Sequence, residues 1–428
     1  MNKKNKFLLF FFTILLFFNI LLFLTNIWIF DNFGNVKIQE ILFTLLSPTS
    51  GTDSSVVYSY ILRVLLIAVS FTVLSCFIVL YTRKKSKHFK YIKNISAIFV
   101  VVSLFLSCLY TNSRYDIYGY ISQKSQTTSI YNKSKKTKKK VKKEEYQGDS
   151  TIVYQNPKEI NISGSDTNNL IYIYLESIEN TFLDTAHGGV KAINCMPELT
   201  ELALNNTSFS NNELLGGALP FTGTTWTIAS MTSQFTGLPL KVEVANDMDQ
   251  QNRFMPGAKT IGDILNENGY IQELMIGSQK EFAGTDKLFL QHGFDKICDI
   301  NSLKQEYSFK SNELNQWGLD DYKLFELAKN EITQLAQTGK FNFTMATIDC
   351  HMPKGFLCKY CPNTYENRYE NIYACQSKLI NSFIDWCKSQ SWYENTTIVL
   401  VGDHPTMAQQ YVNDVPSDYQ RTTYNCFI

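Results

Sequence analysis

The sequence predicts an α/β domain, a mostly parallel sheet covered by helices on both faces, placed behind three membrane-spanning helices. Three observations predict it. Residues 1–111 of the 428 hold three long apolar runs. From Asn169 onward, apolar runs of four to eight residues alternate with helical patterns. Near-continuous apolar strands separated by helices are what a sheet buried on both faces requires. Finally, several of those strands end in acidic residues or histidine, where parallel sheets carry their ligand sites.

Phe7–Phe30 is almost wholly apolar and follows the basic start MNKKNK. It lacks the short core and small-residue cleavage site of a signal peptide, so it reads as a retained anchor. Val56–Tyr81 is a second span, with Arg63 placed to snorkel, and Ile92–Tyr110 a third. Arg83, Lys84, Lys85, Lys87, Lys90 and Lys93 crowd the loop between spans two and three, while Asp31–Ser55 has only Lys37. Positive charge stays inside, so everything after Tyr110 is expected outside the cytoplasm. The expected organisation is a transmembrane region at 1–111 (about 7–30, 56–81 and 92–110), a basic extracytoplasmic linker at 112–168 and a catalytic domain at 169–428. Eight lysines between Lys133 and Lys143 read as a solvated linker, with attraction of anionic headgroups as a secondary reading. The formal charge of +1 favours no polyanionic partner, and no nucleic acid is expected.

In the last region, Leu170–Leu175, Ile271–Ile276, Phe341–Ile348 and Thr397–Val401 read as strands, and Thr260–Asn268, Tyr322–Ala336 and Ile372–Ser389 as helices. Four of the ten cysteines, Cys358, Cys361, Cys375 and Cys387, lie close together. Outside the cytoplasm a loop disulfide is expected, Cys361–Cys375 first and Cys358 as competitor, with zinc chelation by Cys358 and Cys361 the alternative.

The residues that follow the strands carry the chemistry. LIYIYL is followed by Glu176, FTMATI by Asp349, Cys350 and His351, and TIVLV by Gly402, Asp403 and His404. Glu176, Asp403 and His404 with a threonine oxygen make a four-ligand set of mainly hard donors, suited to Mn²⁺, Mg²⁺ or Zn²⁺. The threonine comes from Phe221–Leu240, FTGTTWTIASMTSQFTGLPL, where hydroxyls precede a helix with Ile228, Met231 and Phe235 on one face and a stop at Gly237 and Pro239. A helix start favours negative charge, which suits an alkoxide attacking phosphate, although a threonine there also serves as a simple cap. His351 is placed to protonate a leaving alkoxide.

Taken in order, LIYIYLESIENTF, GTTWTIASMTSQFTGLPL, FAGTDKLFLQHGFD, WGLDDYKLF, TIDCHMPKGF and VGDH resemble the alkaline phosphatase/sulfatase superfamily. The branch they resemble is that of membrane-anchored lipoteichoic acid synthases and phosphoglycerol transferases, and the likeness runs from about Asn169 to Ile428. The resemblance implies a sulfatase-like domain with Thr224 as nucleophile and Glu176, Thr224, Asp403 and His404 as metal ligands. The shorter sulfatase spacing would pick Thr227 instead, and Thr225 stays open. Substrate contacts are implied for Asp286, Lys287, Trp317 and His351, with Thr285 standing where relatives carry a basic residue. The implied cofactor is one divalent metal, Mn²⁺ first. The implied donor is phosphatidylglycerol, the acceptor a glycan or polyol, and the place a bacterial cytoplasmic (inner) membrane crossed several times. Phosphoethanolamine transfer on the same site and an inactive glycan- or lipid-binding protein are the alternatives. Relatives continue beyond the NCFI end with further strands and a helix, so a chain incomplete at its C-terminal side is expected.

Overall fold

The computed structural model describes residues 3–34, 36–46, 54–85, 89–122, 168–240 and 254–428; the lysine run of the expected linker lies outside them. The chain divides into two compact units, one formed by 1–38 with 53–143, the other by 39–52 with 144–428.

The first unit contains α1 (Lys3–Phe33), α3 (Ser54–Tyr60) continuing through a π-turn at Ile61–Leu65 into α4 (Leu66–Lys85), and α5 (Phe89–Tyr115); the short α2 (Ile38–Leu46) lies between α1 and α3 in sequence. Phe10–Phe33, Ser55–Tyr81 and Ile95–Tyr115 are long and apolar enough to cross a membrane. Phe71, Phe77, Phe99 and Phe105 are more than half exposed. Water would not tolerate that much apolar surface, whereas lipid does, and the chain is a membrane protein. Inside the bundle, polar side chains join helices. Asn26 Nδ2 donates to Thr111 Oγ1 (2.9 Å), Ser107 Oγ to Asn19 Oδ1 (3.0 Å) and Trp28 Nε1 to Ser59 Oγ (3.1 Å). Such bonds hold helices together where apolar burial supplies no preference for protein over lipid.

The second unit is built on a six-stranded sheet of order β3-β2-β4-β1-β5-β6. The strands are β1 (Asn169–Leu175), β2 (Ile271–Ile276), β3 (Lys296–Cys298), β4 (Phe341–Ala346), β5 (Thr396–Gly402) and β6 (Asn425–Phe427). All neighbours pair in parallel except β5 and β6. Along β1, Ile171, Ile173 and Leu175 are fully buried on one face; Leu170, Tyr172 and Tyr174, on the other, join a core with Ile228, Met231, Phe235, Leu288 and Phe289. Helices cover both faces. They are α6 (Pro197–Asn205), α7 (Thr227–Thr236), α8 (Ile261–Glu267), α9 (Thr285–Leu290), α10 (Ile300–Glu306), α11 (Asp321–Leu335) and α12 (Arg368–Lys388).

The fold agrees with the expectation, and the departures are instructive. Thr260 is the N-cap of α8 rather than its first residue, closing a reciprocal capping box with Asp263. The three-residue β3 and β6 offer too few residues for a period to show. All ten cysteines are free thiols, so the expected Cys361–Cys375 disulfide is absent. A third sulfur intervenes, with Cys358 Sγ 3.6 Å from Cys375 and 3.7 Å from Cys361.

The loops beyond β1 and β5 are tied together by a buried ion pair. Glu179 is fully buried; Arg421 Nε donates to its Oε2 at 2.7 Å and the Arg421 Nη2 to its Oε1, while Thr406 N–H donates to Oε1 at 3.0 Å. Replacing Arg421 with Met would strand the carboxylate, and we expect a loss of about 3 kcal/mol or more in chemical denaturation of the full chain.

Candidate active site

Two neighbouring central strands, β1 and β5, end side by side, so the residues that follow them meet. Glu176 follows β1, and Asp403 and His404 follow β5. Gly402 is needed at this crossing, because a Cβ there would lie 2.0 Å from the Ile178 carbonyl oxygen. Ser177 adopts a left-handed φ of 56°, and its N–H donates to Asp403 Oδ1 at 2.7 Å, beside the His404 N–H at 2.7 Å. Strain of this kind, on the order of 1 kcal/mol, persists where the surroundings over-determine a site.

Ligand atoms of Glu176, Asp403 and His404 lie within 4.8 Å of one another, and all three side chains are buried. His404 Nδ1 donates to the Pro405 carbonyl at 3.0 Å, which leaves the lone pair on Nε2, 3.5 Å from Asp403 Oδ2 and 3.8 Å from Glu176 Oε1. An imidazole fixed in this tautomer by a backbone carbonyl is ready to ligate. Asp403 Oδ2 is buried and accepts no hydrogen bond among the described residues. Burial and the charge of Glu176 push the Asp403 carboxyl up to about 7. Glu176 is held below the usual carboxylate range despite its burial, through the charges of His351 and His404 and the hydroxyls of Ser177 and Thr227. Two buried acids and an imidazole this close, with one oxygen unpartnered, fit a divalent cation, and they form a possible acidic metal site.

The hydroxyl that reaches this set belongs to Thr227. Its Oγ1 donates to Glu176 Oε2 at 3.1 Å and lies 3.4 Å from His404 Nε2. Thr227 is the first residue of α7; the N-cap is Trp226, whose side chain makes no capping bond. Helix α7 ends at Gly237 with φ 72°, and its Ile228, Met231 and Phe235 face is buried, as the sequence implied. Thr224, the nucleophile implied by the family resemblance, is engaged in the preceding turn. Its Oγ1 donates to the Phe221 carbonyl (2.9 Å) and accepts the Phe221 N–H (3.0 Å), closing a turn ahead of the helix. The Thr225 hydroxyl is buried with no hydrogen-bond partner among the described residues, and it makes none to the cluster.

His351 follows β4, next to β1 in the sheet, and its charge acts on Glu176. Its Nδ1 donates to the Met352 carbonyl at 2.9 Å, leaving Nε2 to exchange a proton. The ring lies on Trp317, centroids 4.3 Å apart, and Trp317 in turn meets Phe282 edge-on. Trp317 Nε1 is buried with no hydrogen-bond partner among the described residues. Trp317 does not cap α11; Asn315 Oδ1 accepts the N–H groups of both Trp317 and Gly318. Asp286 and Lys287 open α9, where Asp286 Oδ1 accepts the Lys287 N–H at 2.8 Å. Thr285, at the position implied to be basic, donates to the Phe282 carbonyl. The two remaining histidines of the α/β unit make contacts within the fold: His187 Nδ1 pairs with Asp184 (2.7 Å), and His292 bridges Asp263 (3.0 Å) and the Phe254 carbonyl (2.8 Å).

Sequence reasoning missed the carboxyl pair behind His351. Asp321 accepts the N–H groups of Ile348 and Asp349, both at 2.8 Å, and Gln376 Nε2 at 2.9 Å. Burial and the Asp321 charge raise Asp349 well above an ordinary aspartic acid. An acid whose folded value lies above its unfolded one stabilises the fold at low pH and loses that contribution as pH rises through the folded value. Thermal stability should therefore fall as pH rises above the unfolded value of about 4, by up to about 1.4 kcal/mol per unit for one proton. Asp349→Asn, which mimics the protonated acid, should flatten that limb in melting curves recorded against pH.

The amino-acid sequence is similar to phosphoglycerol transferase I of Citrobacter koseri, 32% identical over 258 residues, covering 57% of this chain and 32% of that protein. It is also similar to phosphoglycerol transferase I of Xanthomonas campestris pv. campestris, 29% identical over 269 residues, with 61% of this chain and 37% of the other covered. The chain thus spans about a third of the length of these curated relatives. Its fold is similar to that of the integral membrane lipooligosaccharide phosphoethanolamine transferase A (EptA) from Neisseria meningitidis, with a TM-score of 0.50 at 14% identity over 97% of this chain and 76% of that one. The Sulfatase family model matches residues 168–424, the part of the α/β unit that carries Glu176, Thr227, Asp403 and His404, and the chain belongs to that family.

Proposed function

We propose that this chain is a membrane-anchored phosphotransferase that moves phosphoglycerol from phosphatidylglycerol to an extracytoplasmic glycan or polyol through a phospho-threonine intermediate on Thr227. The observation that carries the proposal is the contact of the Thr227 hydroxyl with Glu176 and His404 at the mouth of α7. Glu176, Asp403 and His404, with Thr227 Oγ1, would hold one divalent metal, Mn²⁺ first and Mg²⁺ or Zn²⁺ as alternatives. Such an ion lowers the pKa of a bound hydroxyl and offsets charge on the phosphoryl group. Glu176 takes the Thr227 proton into a hydrogen bond and aims the oxygen. First-turn N–H groups of α7 face the phosphoryl oxygens. As the Oγ1–P bond forms, the Thr227 proton passes to Glu176, the P–O bond to diacylglycerol breaks, and His351 Nε2 gives the leaving alkoxide its proton. In the second half-reaction, His351 takes the proton of the acceptor hydroxyl, which attacks phosphorus, and the released Thr227 oxygen regains its proton from Glu176. Trp317 supports the imidazole, and its buried N–H suits a phosphate or glycerol oxygen. Asp286 and Lys287 are proposed as outer substrate contacts.

The similarity to phosphoglycerol transferases I and the three apolar helices support this reading. Positive-inside charge supports placing the N-terminus and the 82–93 loop in the cytoplasm and the α/β unit outside the inner membrane. Tethering raises the effective concentration of a lipid donor. The test is incubation of the full chain in vesicles with headgroup-labelled phosphatidylglycerol or phosphatidylethanolamine, followed by peptide mapping. Label from phosphatidylglycerol on Thr227 is expected. Label from phosphatidylethanolamine would select the phosphoethanolamine reading, and no label at all would select a binding protein. His351→Gln should slow turnover by about 10²-fold, the lower end for a general acid–base group.

A further inference from the structure

We infer that Cys358, Cys361 and Cys375 form a second metal site, for a thiophilic divalent cation such as Zn²⁺, separate from the phosphotransfer centre. Their Sγ atoms all lie within 4.8 Å of one another, with Cys358 3.6 Å from Cys375 and 3.7 Å from Cys361. A disulfide needs about 2.05 Å between sulfurs. Sulfurs bound at about 2.3 Å on a tetrahedral centre stand about 3.8 Å apart. The observed spacings match the second figure, and an odd number of thiols cannot be consumed in pairs.

The local backbone has the form of a chelating turn. Cys358 and Cys361 sit three residues apart in a turn closed by the Cys361 N–H on the Cys358 carbonyl at 3.1 Å. The Tyr360 N–H donates to Cys358 Sγ at 3.4 Å, a bond that favours the thiolate. The third ligand comes from helix α12, so turn and helix hold the sulfurs on separate rigid elements. Cys358 and Cys375 are buried with Tyr322, and Leu379 packs against them. Lys359 is drawn away from the sulfurs, over the rings of Tyr322 (4.6 Å) and Tyr360 (4.9 Å). No other His, Cys, Asp or Glu of the described residues joins the group, which leaves the fourth position to water. Binding exchanges the remaining S–H protons for the cation and moves no electrons.

The site has a consequence for the loop it closes. The segment from His351 to Cys361 leaves β4, and the cation would pin its far end to α12. Holding that end orders the peptide that carries His351 against Trp317.

The test uses the full chain purified from membranes in detergent without reductant, stripped with a chelator and titrated with Co²⁺. The expected result is a near-ultraviolet thiolate-to-Co²⁺ charge-transfer band that saturates at one equivalent, persists in Glu176→Gln and is lost in Cys361→Ser and Cys375→Ser. Because the catalytic set contains no sulfur, this band reports on the cysteine site even if the phosphotransfer reading fails. Alkylation of the wild-type chain needs no variant to fold: with Zn²⁺ bound, the three cysteines should react at least tenfold more slowly than after chelation. A disulfide among them in the unreduced peptide map, or the absence of a charge-transfer band in the wild-type chain, overturns the inference.

Discussion

Thr227→Ala is expected to abolish both the covalent intermediate and turnover, by at least about 10³-fold, because no neighbouring hydroxyl can take its place. The two alternative hydroxyls make no hydrogen bond to the acids. Thr224 donates to and accepts from Phe221 in the preceding turn, and Thr225 makes no hydrogen bond to Glu176 or His404. Thr224→Ala should therefore keep turnover within about tenfold of the parent, its cost being that of a lost turn bond, about 1 kcal/mol. Thr227→Ser restores the oxygen and should recover the labelled peptide, at a reduced rate because the β-methyl no longer restricts χ1. Rapid-quench labelling with headgroup-labelled donor separates the outcomes. A burst of label that survives Thr227→Ala and disappears in Thr224→Ala would return the nucleophile to the position implied by family resemblance.

The three residues between Thr224, the implied nucleophile, and Thr227, whose hydroxyl reaches Glu176, show what the sequence could carry. Strand ends were legible because apolar runs terminate abruptly: Glu176, His351, Asp403 and His404 each follow such a run, and sheet order then brings β4, β1 and β5 together. The helix was legible too, from Ile228, Met231, Phe235 and the Gly237 stop. Its first residue was not. Four threonines crowd the start, each with the chemistry of a cap or a nucleophile, and only the turn at Phe221–Thr224 decides which one enters the helix at its mouth. Distance along the chain likewise hid the support of the site. Glu179 and Arg421 are 242 positions apart, and nothing local marks them as partners. The cysteines were visible as a group, but the choice between a bridge and a chelate depends on sulfur–sulfur distance, which spacing does not encode.

Glu176→Gln should remove the stabilisation that a bound metal confers. In the metal-free chain, the charge of Glu176, together with burial, is what holds Asp403 up to about 7. Gln keeps one oxygen, enough for either the Thr227 or the Ser177 hydroxyl, while removing the charge that repels ionised Asp403, so Asp403 in the metal-free variant should titrate closer to its ordinary range. In the parent its folded value is raised, so its contribution to metal-free stability is complete below its unfolded value near 4 and is lost as pH climbs through about 7. A cation reverses this by requiring the ionised form. Below about pH 7 apparent Mn²⁺ affinity of the parent should fall at least about tenfold per unit, because Asp403 and His404, both raised, must give up protons to the ion. At 100 times Kd the ion stabilises the parent by about 2.7 kcal/mol, on the order of 5 °C or more for a domain of this size. Glu176→Gln should show almost none of that rise, and turnover should fall by at least about 10³-fold. Calorimetry of both proteins with chelator and with Mn²⁺, at pH 6 and pH 8, gives the four comparisons. Equal metal-induced shifts in parent and variant would remove Glu176 from the ligand set.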